Sequence, residues 1–324
     1  MSEEKKTIGI MTSGGDAPGM NATIRAVVRS ALSRDMRVMG IMRGYNGLIN
    51  DEVKEMHMRS ISEILHRGGT ILYTARCDEF RALEGQIKAA EICRKHGMSG
   101  VVVIGGDGSF RGAVDLSKQG INCVGIPATI DNDIAASEYT FGFDTAMNTA
   151  CEMIDKLRDT SQSQERCSVV EVMGRHAGHL ALEVGAASGA TSIVIPEIPI
   201  DIEKDIIDKI NRVQRKGKKH FIIVVAEGTG LTNEISRRIQ EETGIESRVT
   251  VLGHVQRGGA PTVRERVMAS AMGYRAVELL SYGVTNRVVV LRNTQITDMD
   301  INEALGMKKQ IDMKLYQISN TISI

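Results

Sequence analysis

The sequence predicts an α/β fold with a mainly parallel sheet, and three observations support this prediction. Short runs rich in β-branched residues alternate with helical patterns over most of the chain. These runs are continuously apolar, as in strands that are buried on both faces of a sheet. Glycines gather directly after several of the runs, where a parallel sheet has its loops.

The predicted strands begin near residues 7, 38, 100, 121, 167, 191, 220 and 249. After the first strand, "NATIRAVVRSALS" places Ile24, Val27 and Val28 on one helical face. Arg25 and Arg29 lie one turn apart on another face, as solvated charges commonly do. Helical spacing recurs after residues 108, 143, 176, 203, 232 and 262. The 324 residues suit two ordinary domains or one large α/β unit.

Composition narrows the class of protein. The 40 basic residues balance the 40 acidic ones, so no overall field attracts nucleic acid or an anionic membrane. No apolar segment approaches a membrane span, and the N-terminal "MSEEKKTIGIM" has no signal-peptide core. The five cysteines form no C-x-x-C pair, which argues against a disulfide framework or a zinc site. We therefore expect a cytoplasmic protein.

The glycine-rich loops indicate an anion site. They include "TSGGDAPGMN", "GGDGSFRG", "MGRHAGH", "AEGTG" and "QRGGAP". Glycine allows backbone N–H groups to approach a ligand, and a following helix start favours an anion. No Walker-type loop occurs, and "GDGSFRG" has one residue too many for a dinucleotide motif. Any single loop is also explained as a tight turn, so the interpretation depends on the whole set.

Carboxylates and arginines beside these loops favour phosphoryl transfer. Asp107 in "GGDGS" is a suitable Mg²⁺ ligand, and several arginines beside the loops suit phosphate oxygens. "GIPATIDNDI" places Thr129, Asp131, Asn132 and Asp133 after an apolar run. This stretch is either a polar turn or a site where Asp131 accepts a proton from an attacking hydroxyl.

The motif order resembles that of the bacterial ATP-dependent 6-phosphofructokinase (phosphofructokinase A) family over essentially the whole chain. The shared motifs are "TSGGDAPGMN", "RGGT…TAR", "GGDGS", "TIDNDI", "VVEVMGRHAGHLAL", "AEG" and "VLGHVQRGG". The short motif "GGDG" also occurs in NAD kinases and diacylglycerol kinases, whereas the complete set is specific. The resemblance implies two similar three-layer αβα domains with mainly parallel sheets. It assigns residues 1–142 with 256–304 to an ATP-binding domain, and 143–255 with 305–324 to a fructose 6-phosphate-binding domain.

The resemblance also implies residue roles in the transfer of the ATP γ-phosphoryl group to fructose 6-phosphate. Asp131 is the base, Asp107 holds Mg²⁺, Asp133 lies near the metal-bound phosphate, and Thr129 contacts the moving group. The catalytic set comprises Asp131, Thr129, Arg175 and Asp133. The ATP site comprises Gly15, Arg76, Cys77, Gly106, Asp107, Gly108 and Ser109. Besides Thr129 and Asp131, the sugar phosphate is bound by Arg166, Met173, Gly174, Arg175, Glu227, Arg248, His254 and Arg257.

In the family, Arg166 and Arg248 come from a neighbouring subunit, which implies a homotetramer with shared active sites. The resemblance further implies a site for ADP or phosphoenolpyruvate as an effector. Its residues are Arg25, Arg29, Arg59, Arg158, Gly189, Thr191, Lys216 and Lys218. Thr191 replaces a glutamate of familiar bacterial enzymes, and Arg59 is one position away from the arginine of some relatives. We therefore expect an altered effector response.

Two positions bear on the phosphoryl donor. Pyrophosphate-dependent relatives usually carry Asp at the position of Gly108 and Lys at that of Ala128. Gly108 favours ATP, because a carboxylate there would crowd and repel the α-phosphate. Ala128 departs from the glycine of the ATP enzymes. The alternatives are a pyrophosphate-dependent enzyme and a catalytically silent binding protein, although retention of Asp131 argues against the latter.

Overall fold

A computed structural model describes residues 5 to 323. The strands are β1 (Thr7–Thr12), β2 (Arg37–Ile41), β3 (Val53–Glu55), β4 (Met98–Gly105), β5 (Asn122–Thr129), β6 (Phe141–Gly142), β7 (Cys167–Val172), β8 (Ser192–Val194), β9 (Phe221–Ala226), β10 (Ser247–Val251), β11 (Arg287–Arg292) and β12 (Gln295–Asp300).

The helices alternate with the strands along most of the chain. They are α1 (Met20–Leu32), α2 (Gly44–Ile49), α3 (Leu83–Lys95), α4 (Asp107–Lys118), α5 (Phe143–Ser163), α6 (His179–Ala187), α7 (Asp208–Gln214), α8 (Thr232–Thr243), α9 (Val263–Ser281), α10 (Ile301–Gly306) and α11 (Met313–Ile322). A π-helical turn, Glu203–Ile207, leads into α7. No helix within the described residues combines the length and apolarity needed to cross a membrane.

The chain folds into two compact units. The first comprises residues 5–129, 134–144 and 257–309, and the second comprises 130–133, 145–256 and 310–323. The chain therefore passes from one unit to the other near residues 144, 256 and 309. These positions lie beside the domain boundaries expected at 142, 256 and 304. Which ligand each unit binds stays a prediction.

The first unit contains an eight-stranded sheet in the order β12-β11-β5-β4-β1-β2-β3, with β6 paired to β5. Strands β2, β1, β4, β5 and β11 run parallel, while β3 and β12 are antiparallel edge strands. The central strands are buried along almost their whole length, which explains their continuous apolar runs.

The second unit contains a fully parallel four-stranded sheet in the order β10-β7-β9-β8. Its core includes Ile206, Ile210 and Ile239 from the covering helices, packed with Val169 and Ile223 of the central strands. The predicted α/β class with mainly parallel sheets is confirmed, and each of the eight predicted strands is present.

Candidate active site

The loops after β1 and β4 lie at one edge of the first sheet. Because β5, β4 and β1 are adjacent and parallel, their carboxyl ends meet there. The backbone N–H of Ser13 donates to the carbonyl of Ile104 at 2.9 Å, so the strand pairing continues into the first loop. This edge is where open α/β sheets bind ligands.

The loop that links β4 to α4 combines tight packing with open backbone. A Cβ atom at Gly105 would lie 2.4 Å from both Ser109 Oγ and Ser13 O, so a side chain does not fit there. A Cβ at Gly106 or Gly108 would meet no atom within 4 Å. The backbone of Gly106 and Gly108 therefore borders open space at the start of α4, where unpaired N–H groups favour an anion.

Asp107 is the first residue of α4 and lies between these two open glycines. No group of three or more His, Cys, Asp or Glu side chains that could hold a metal is found in residues 5–323. A single carboxylate beside open backbone at a helix start nevertheless fits Mg²⁺, which commonly binds through one or two carboxylates together with substrate phosphates and water. The arrangement therefore suits a metal that arrives with a nucleotide.

Arg257 contacts the glycine loop that follows β1. Its Nη1 atom donates to the carbonyl of Asp16 at 3.0 Å, and a Cβ at Gly15 would lie 2.5 Å from the same nitrogen. All three residues belong to the first unit. The structure therefore brings Gly15 and Arg257 together. The resemblance assigned Gly15 to the ATP site and Arg257 to the sugar-phosphate site.

Two buried polar side chains that sequence reasoning missed hold the segment containing Thr70 and Tyr73. Asn21 Nδ2 donates to the carbonyls of Arg67 and Gly68, and Asn21 Oδ1 accepts the N–H of Ile71 at 2.8 Å. The Thr12 hydroxyl lies 2.9 Å from both Thr70 Oγ1 and the Tyr73 carbonyl oxygen. A buried asparagine within a glycine-rich loop motif is the signal that could have identified this anchoring role.

Just beyond this segment lie two predicted nucleotide contacts. Arg76 is exposed, and Cys77 is half-buried against the core cluster that contains Tyr45 and Phe80.

The segment after β5 carries the predicted base. Thr129 ends the strand, and its carbonyl accepts a hydrogen bond of 2.8 Å from the Thr140 hydroxyl. Asp131 and Asn132 are buried, while Asp133 is half-buried. Asn132 has a φ of 49°, a left-handed conformation that asparagine adopts more readily than most residues. Asn132 therefore turns the backbone between the two aspartates.

In the second unit, three predicted sugar-binding segments follow adjacent strands. Met173, Gly174 and Arg175 follow β7, Glu227 follows β9, and His254 lies beyond β10. Glu227 Oε1 accepts the N–H of Arg175 at 2.7 Å and that of Gly174 at 3.2 Å. Glu227 thus fixes the backbone of the neighbouring loop.

Two further features support the loop after β7. Gln256, which is fully buried, accepts the N–H of Met173 at 2.9 Å through Oε1. Arg175 has a φ of 57° and an exposed side chain. Such strained backbone persists where surrounding contacts enforce it, often at binding sites. Gln256 was missed because its importance depends on a contact distant in sequence.

Arg166 and Arg248 lie at the opposite, amino end of this sheet. Arg166 precedes β7, and Arg248 is near the start of the adjacent β10. Glu246 joins them, with Oε2 2.7 Å from Arg166 Nε and Oε1 2.5 Å from Arg248 Nη2. Desolvation raises the pKa of Glu246, but hydrogen bonds from Arg166 and then Arg248 outweigh it and leave the pKa below its usual value.

The length of β7 separates these arginines from the loop at Met173. At roughly 3.3 Å for each residue, Arg166 lies about 23 Å before Met173. Arg248 is paired with Ser168 and therefore lies about 17 Å before the level of Met173, and both distances exceed the reach of an arginine side chain. Within one chain, Arg166 and Arg248 are therefore not brought together with Met173, Arg175 and Glu227.

The predicted effector residues also divide into two groups. Arg25, Arg29 and Arg59 belong to the first unit, where the turn carrying Arg59 packs against α1. In the second unit, Arg158 Nη2 donates to the Ser188 carbonyl, and Lys218 Nζ lies 3.4 Å from Thr191 Oγ1.

The second-unit group is electropositive and partly buried. Desolvation and the nearby Arg158 lower the pKa of Lys218. Desolvation, with Lys218 and Arg158, also lowers the pKa of His220, which sequence reasoning missed. Gly189 borders open space, and Lys216 is exposed.

Comparisons with known proteins agree with the sequence resemblance. The sequence model of the family described as Phosphofructokinase matches residues 7–280. The chain is 56% identical over 318 residues to "ATP-dependent 6-phosphofructokinase" of Clostridium botulinum strain Loch Maree, covering 98% of this chain and 99% of that protein. It is 54% identical over 319 residues to the protein of the same name from Bacillus mycoides, covering 98% of this chain and 100% of that protein.

Solved structures show the same fold. Phosphofructokinase from Saccharomyces cerevisiae matches with a TM-score of 0.90 and 34% identity, over 99% of this chain. This chain spans about half of the yeast chain, at 48%. A pyrophosphate-dependent phosphofructokinase from Marinobacter aquaeolei matches with a TM-score of 0.85 and 22% identity, over 95% of this chain and 86% of that chain, which shows the fold alone. From its family-wide motifs, its fold and its full-length relatives, the chain belongs to the phosphofructokinase family.

Proposed function

We propose that the protein transfers the γ-phosphoryl group of ATP to the 1-hydroxyl of D-fructose 6-phosphate, giving fructose 1,6-bisphosphate and ADP. This is the committed step of glycolysis. The observation that carries the proposal is the 56% identity over nearly the whole chain to curated ATP-dependent 6-phosphofructokinases. A coupled steady-state assay with fructose 6-phosphate and either ATP or pyrophosphate tests it. Turnover with neither donor would favour a catalytically silent binding protein.

In this proposal the loop after β4 binds the triphosphate. The open backbone at Gly106 and Gly108 admits phosphate oxygens, and the start of α4 presents N–H donors and a positive dipole end. Gly15, Arg76, Cys77 and Ser109 complete the nucleotide contacts. Asp107 would hold Mg²⁺, which when bound neutralises charge on the β- and γ-phosphates.

Asp131 is the proposed general base. A sugar hydroxyl has a pKa far above neutrality, so its proton must leave as the new oxygen–phosphorus bond forms. Asp131 accepts that proton, and the left-handed Asn132 fixes the direction of the backbone at this point. Thr129 would contact the transferring group, Arg175 completes the catalytic set as a residue that holds the sugar, and Asp133 would lie near the phosphate that carries the metal.

The sugar phosphate is bound by the loop Met173–Arg175, Glu227, His254 and Arg257, together with Arg166 and Arg248 from a neighbouring subunit. The separation of the two arginines from Met173 along β7 supports this sharing, because one chain does not bring the two groups together. A homotetramer in the cytoplasm, where both substrates are found, is the proposed working form.

Donor choice depends on the open space beside Gly108. We expect Gly108→Asp to lower kcat/KM for ATP by about 100-fold, because a like charge placed against a phosphate costs several kcal/mol. Gly108→Asn is the matched control, since it has nearly the same size without the charge, and it should have a smaller effect. Steady-state kinetics with ATP and with pyrophosphate provide the measurement. Equal losses in both variants would mean that size, and not charge, excludes the carboxylate.

The proposed effector site should respond to a carboxylate at position 191. Thr191 is buried beside Lys218, so Thr191→Glu would place a negative charge next to Lys218 and Arg158. We expect the phosphoenolpyruvate concentration for half-maximal inhibition to rise about tenfold through like-charge repulsion. Thr191→Gln separates charge from size. Superimposable inhibition curves for wild type and Thr191→Glu would contradict the proposal, and ADP titrations provide the complementary measurement.

A further inference from the structure

A cavity of about 210 Å³ in the second unit lies apart from the residues proposed above. It is lined by residues of β8, the π-helical turn, α7 and α11. The nucleotide, sugar-phosphate and effector residues are all absent from its lining. The proposed functions therefore leave this cavity unexplained.

Lys209 is the unusual group in this cavity. The residue is only 8% exposed, yet its ammonium makes one hydrogen bond in the described chain, to Asn320 Oδ1 at 3.2 Å. An ammonium group has three donors, and buried charges are normally paired with an opposite charge. Lys209 forms no ion pair with any carboxylate of residues 5–323. A buried cation that borders a cavity and has no carboxylate in direct contact favours an anionic ligand.

One carboxylate, that of Asp205, lies in the cavity lining and its charge favours the ammonium form of Lys209, but it forms no ion pair with Lys209. Lys204 is paired with Asp201 at 3.2 Å, and the Asp205 carboxylate accepts the N–H of Asp201 at 2.8 Å. Arg212 adds a further positive charge to the lining. Desolvation, followed by repulsion from Arg212 and Lys218, lowers the pKa of Lys209 to about 8, while Asp205 opposes this shift. With a pKa of about 8, the ammonium group of Lys209 is mostly protonated at neutral pH.

The local backbone provides a second, independent observation. The π-helical turn Glu203–Ile207 runs directly into α7, and both segments line the cavity. Single π turns within α-helices are rare and occur frequently at functional sites. Lys209 and Arg212 are three residues apart, which places them on one face of α7. Tyr316 and Asn320 approach from α11, four residues apart on that helix.

We propose that this cavity binds the phosphate group of a small ligand, either inorganic phosphate or a phosphate ester of a small metabolite. Lys209 and Arg212 provide the positive charge, and the Asn320 amide and Tyr316 hydroxyl provide neutral donors. The site is separate from the proposed effector site, although the charge of Lys218 reaches Lys209. A ligand in this cavity would contact α11, the C-terminal helix, and α7, which leads to Lys216 and Lys218.

The test measures the thermal unfolding midpoint of the full chain against inorganic phosphate, with chloride keeping the ionic strength constant. Ligand that binds the folded state raises this midpoint. We expect Lys209→Met to weaken the apparent phosphate affinity about tenfold or more relative to wild type, because a charge-assisted contact is lost. Phosphate binding at the proposed active site is common to both proteins, so it cancels in the difference.

Lys156→Met is the matched control, since Lys156 is exposed on α5 and pairs with Glu152 at 2.6 Å. It should retain the phosphate response of wild type. Arg212→Gln, which leaves Lys209 in place, is the second variant and should also weaken the response. Equal phosphate responses in wild type, Lys209→Met and Arg212→Gln would overturn the proposal.

Two further measurements identify the bound group. A response to glycerol 3-phosphate that depends on Lys209 would indicate an esterified phosphate, whereas a response to inorganic phosphate alone would indicate the free ion. The response that depends on Lys209 should decline as the pH rises above about 8, because the ammonium then loses its proton. A response that is independent of pH between 7 and about 10 would contradict a role for the charge of Lys209.

Discussion

Asp131→Asn should lower kcat by about 10²- to 10⁴-fold while changing the KM for either substrate only slightly. Asparagine preserves the size of the side chain and much of its hydrogen bonding, but it cannot accept the hydroxyl proton. Asp131 is buried and the next residue has left-handed backbone. Another side chain therefore has little room to move in and accept the proton in place of Asp131. Steady-state kinetics with varied fructose 6-phosphate and varied ATP give the two parameters separately.

Asp133→Asn is the appropriate comparison. Asp133 is only half-buried and is proposed to act through the metal-bound phosphate. Its replacement should raise the Mg²⁺ concentration required for activity, whereas Asp131→Asn should not. A fall in kcat of less than about tenfold in Asp131→Asn would mean that another group removes the proton.

The central strands were predictable because burial on both faces imposes continuous apolar sequence. Strands β1, β4, β5, β7 and β9 are of this kind. Four strands, β3, β6, β11 and β12, were not predicted. Strand β11 is an apolar run of the same buried, parallel kind and was overlooked, whereas β3 and β12 have different surroundings. Thus β3 is three residues long and largely polar, and the alternating β12 pairs only with β11 at the sheet edge. Edge strands lack the two-sided burial that makes a sequence pattern recognisable.

The candidate site was predictable at residues whose type and local sequence already indicate their chemistry. Asp107 at a helix start and the open backbone of Gly108 are examples, since the glycine spacing already indicates an anion loop. Asn21, Gln256 and Glu246 were missed because they contact segments distant in sequence. Glu246 also contacts its near neighbour Arg248. Only the folded chain reveals such contacts.

The positions of Arg166 and Arg248 show a further limit of sequence reasoning. The resemblance places both with Met173 and Arg175 in one sugar-phosphate site. Within one chain, however, the two arginines lie at the amino ends of β7 and β10, whereas Met173 and Arg175 follow the carboxyl end of β7. Composition and spacing carry no information about which copy of a chain completes a site. The ion pairs with Glu246 hold both arginines at the amino edge of the sheet.

Mixing two inactive variants should therefore restore activity. In Arg248→Ala the sugar-phosphate site loses a guanidinium, and we expect the KM for fructose 6-phosphate to rise by about 100-fold, as for a lost charge-assisted pair. If Arg248 serves a neighbour, an Arg248→Ala chain still offers an intact Asp131, and an Asp131→Asn chain still offers an intact Arg248. An equal mixture of dissociated and reassembled chains should then contain about one quarter complete sites.

The measurement is turnover at low fructose 6-phosphate, where Arg248→Ala alone is nearly inactive. Each variant is dissociated and reassembled alone as a control, and wild-type chains treated in the same way define full recovery. Recovery near one quarter of that value would support sites shared between subunits. If the mixture is no more active than the average of its two components, Arg248 acts within its own chain, and β7 would have to be bridged by a rearrangement of the second unit. Repeating the experiment with Arg166→Ala tests the second arginine independently, because Glu246 holds both side chains and the two should behave alike.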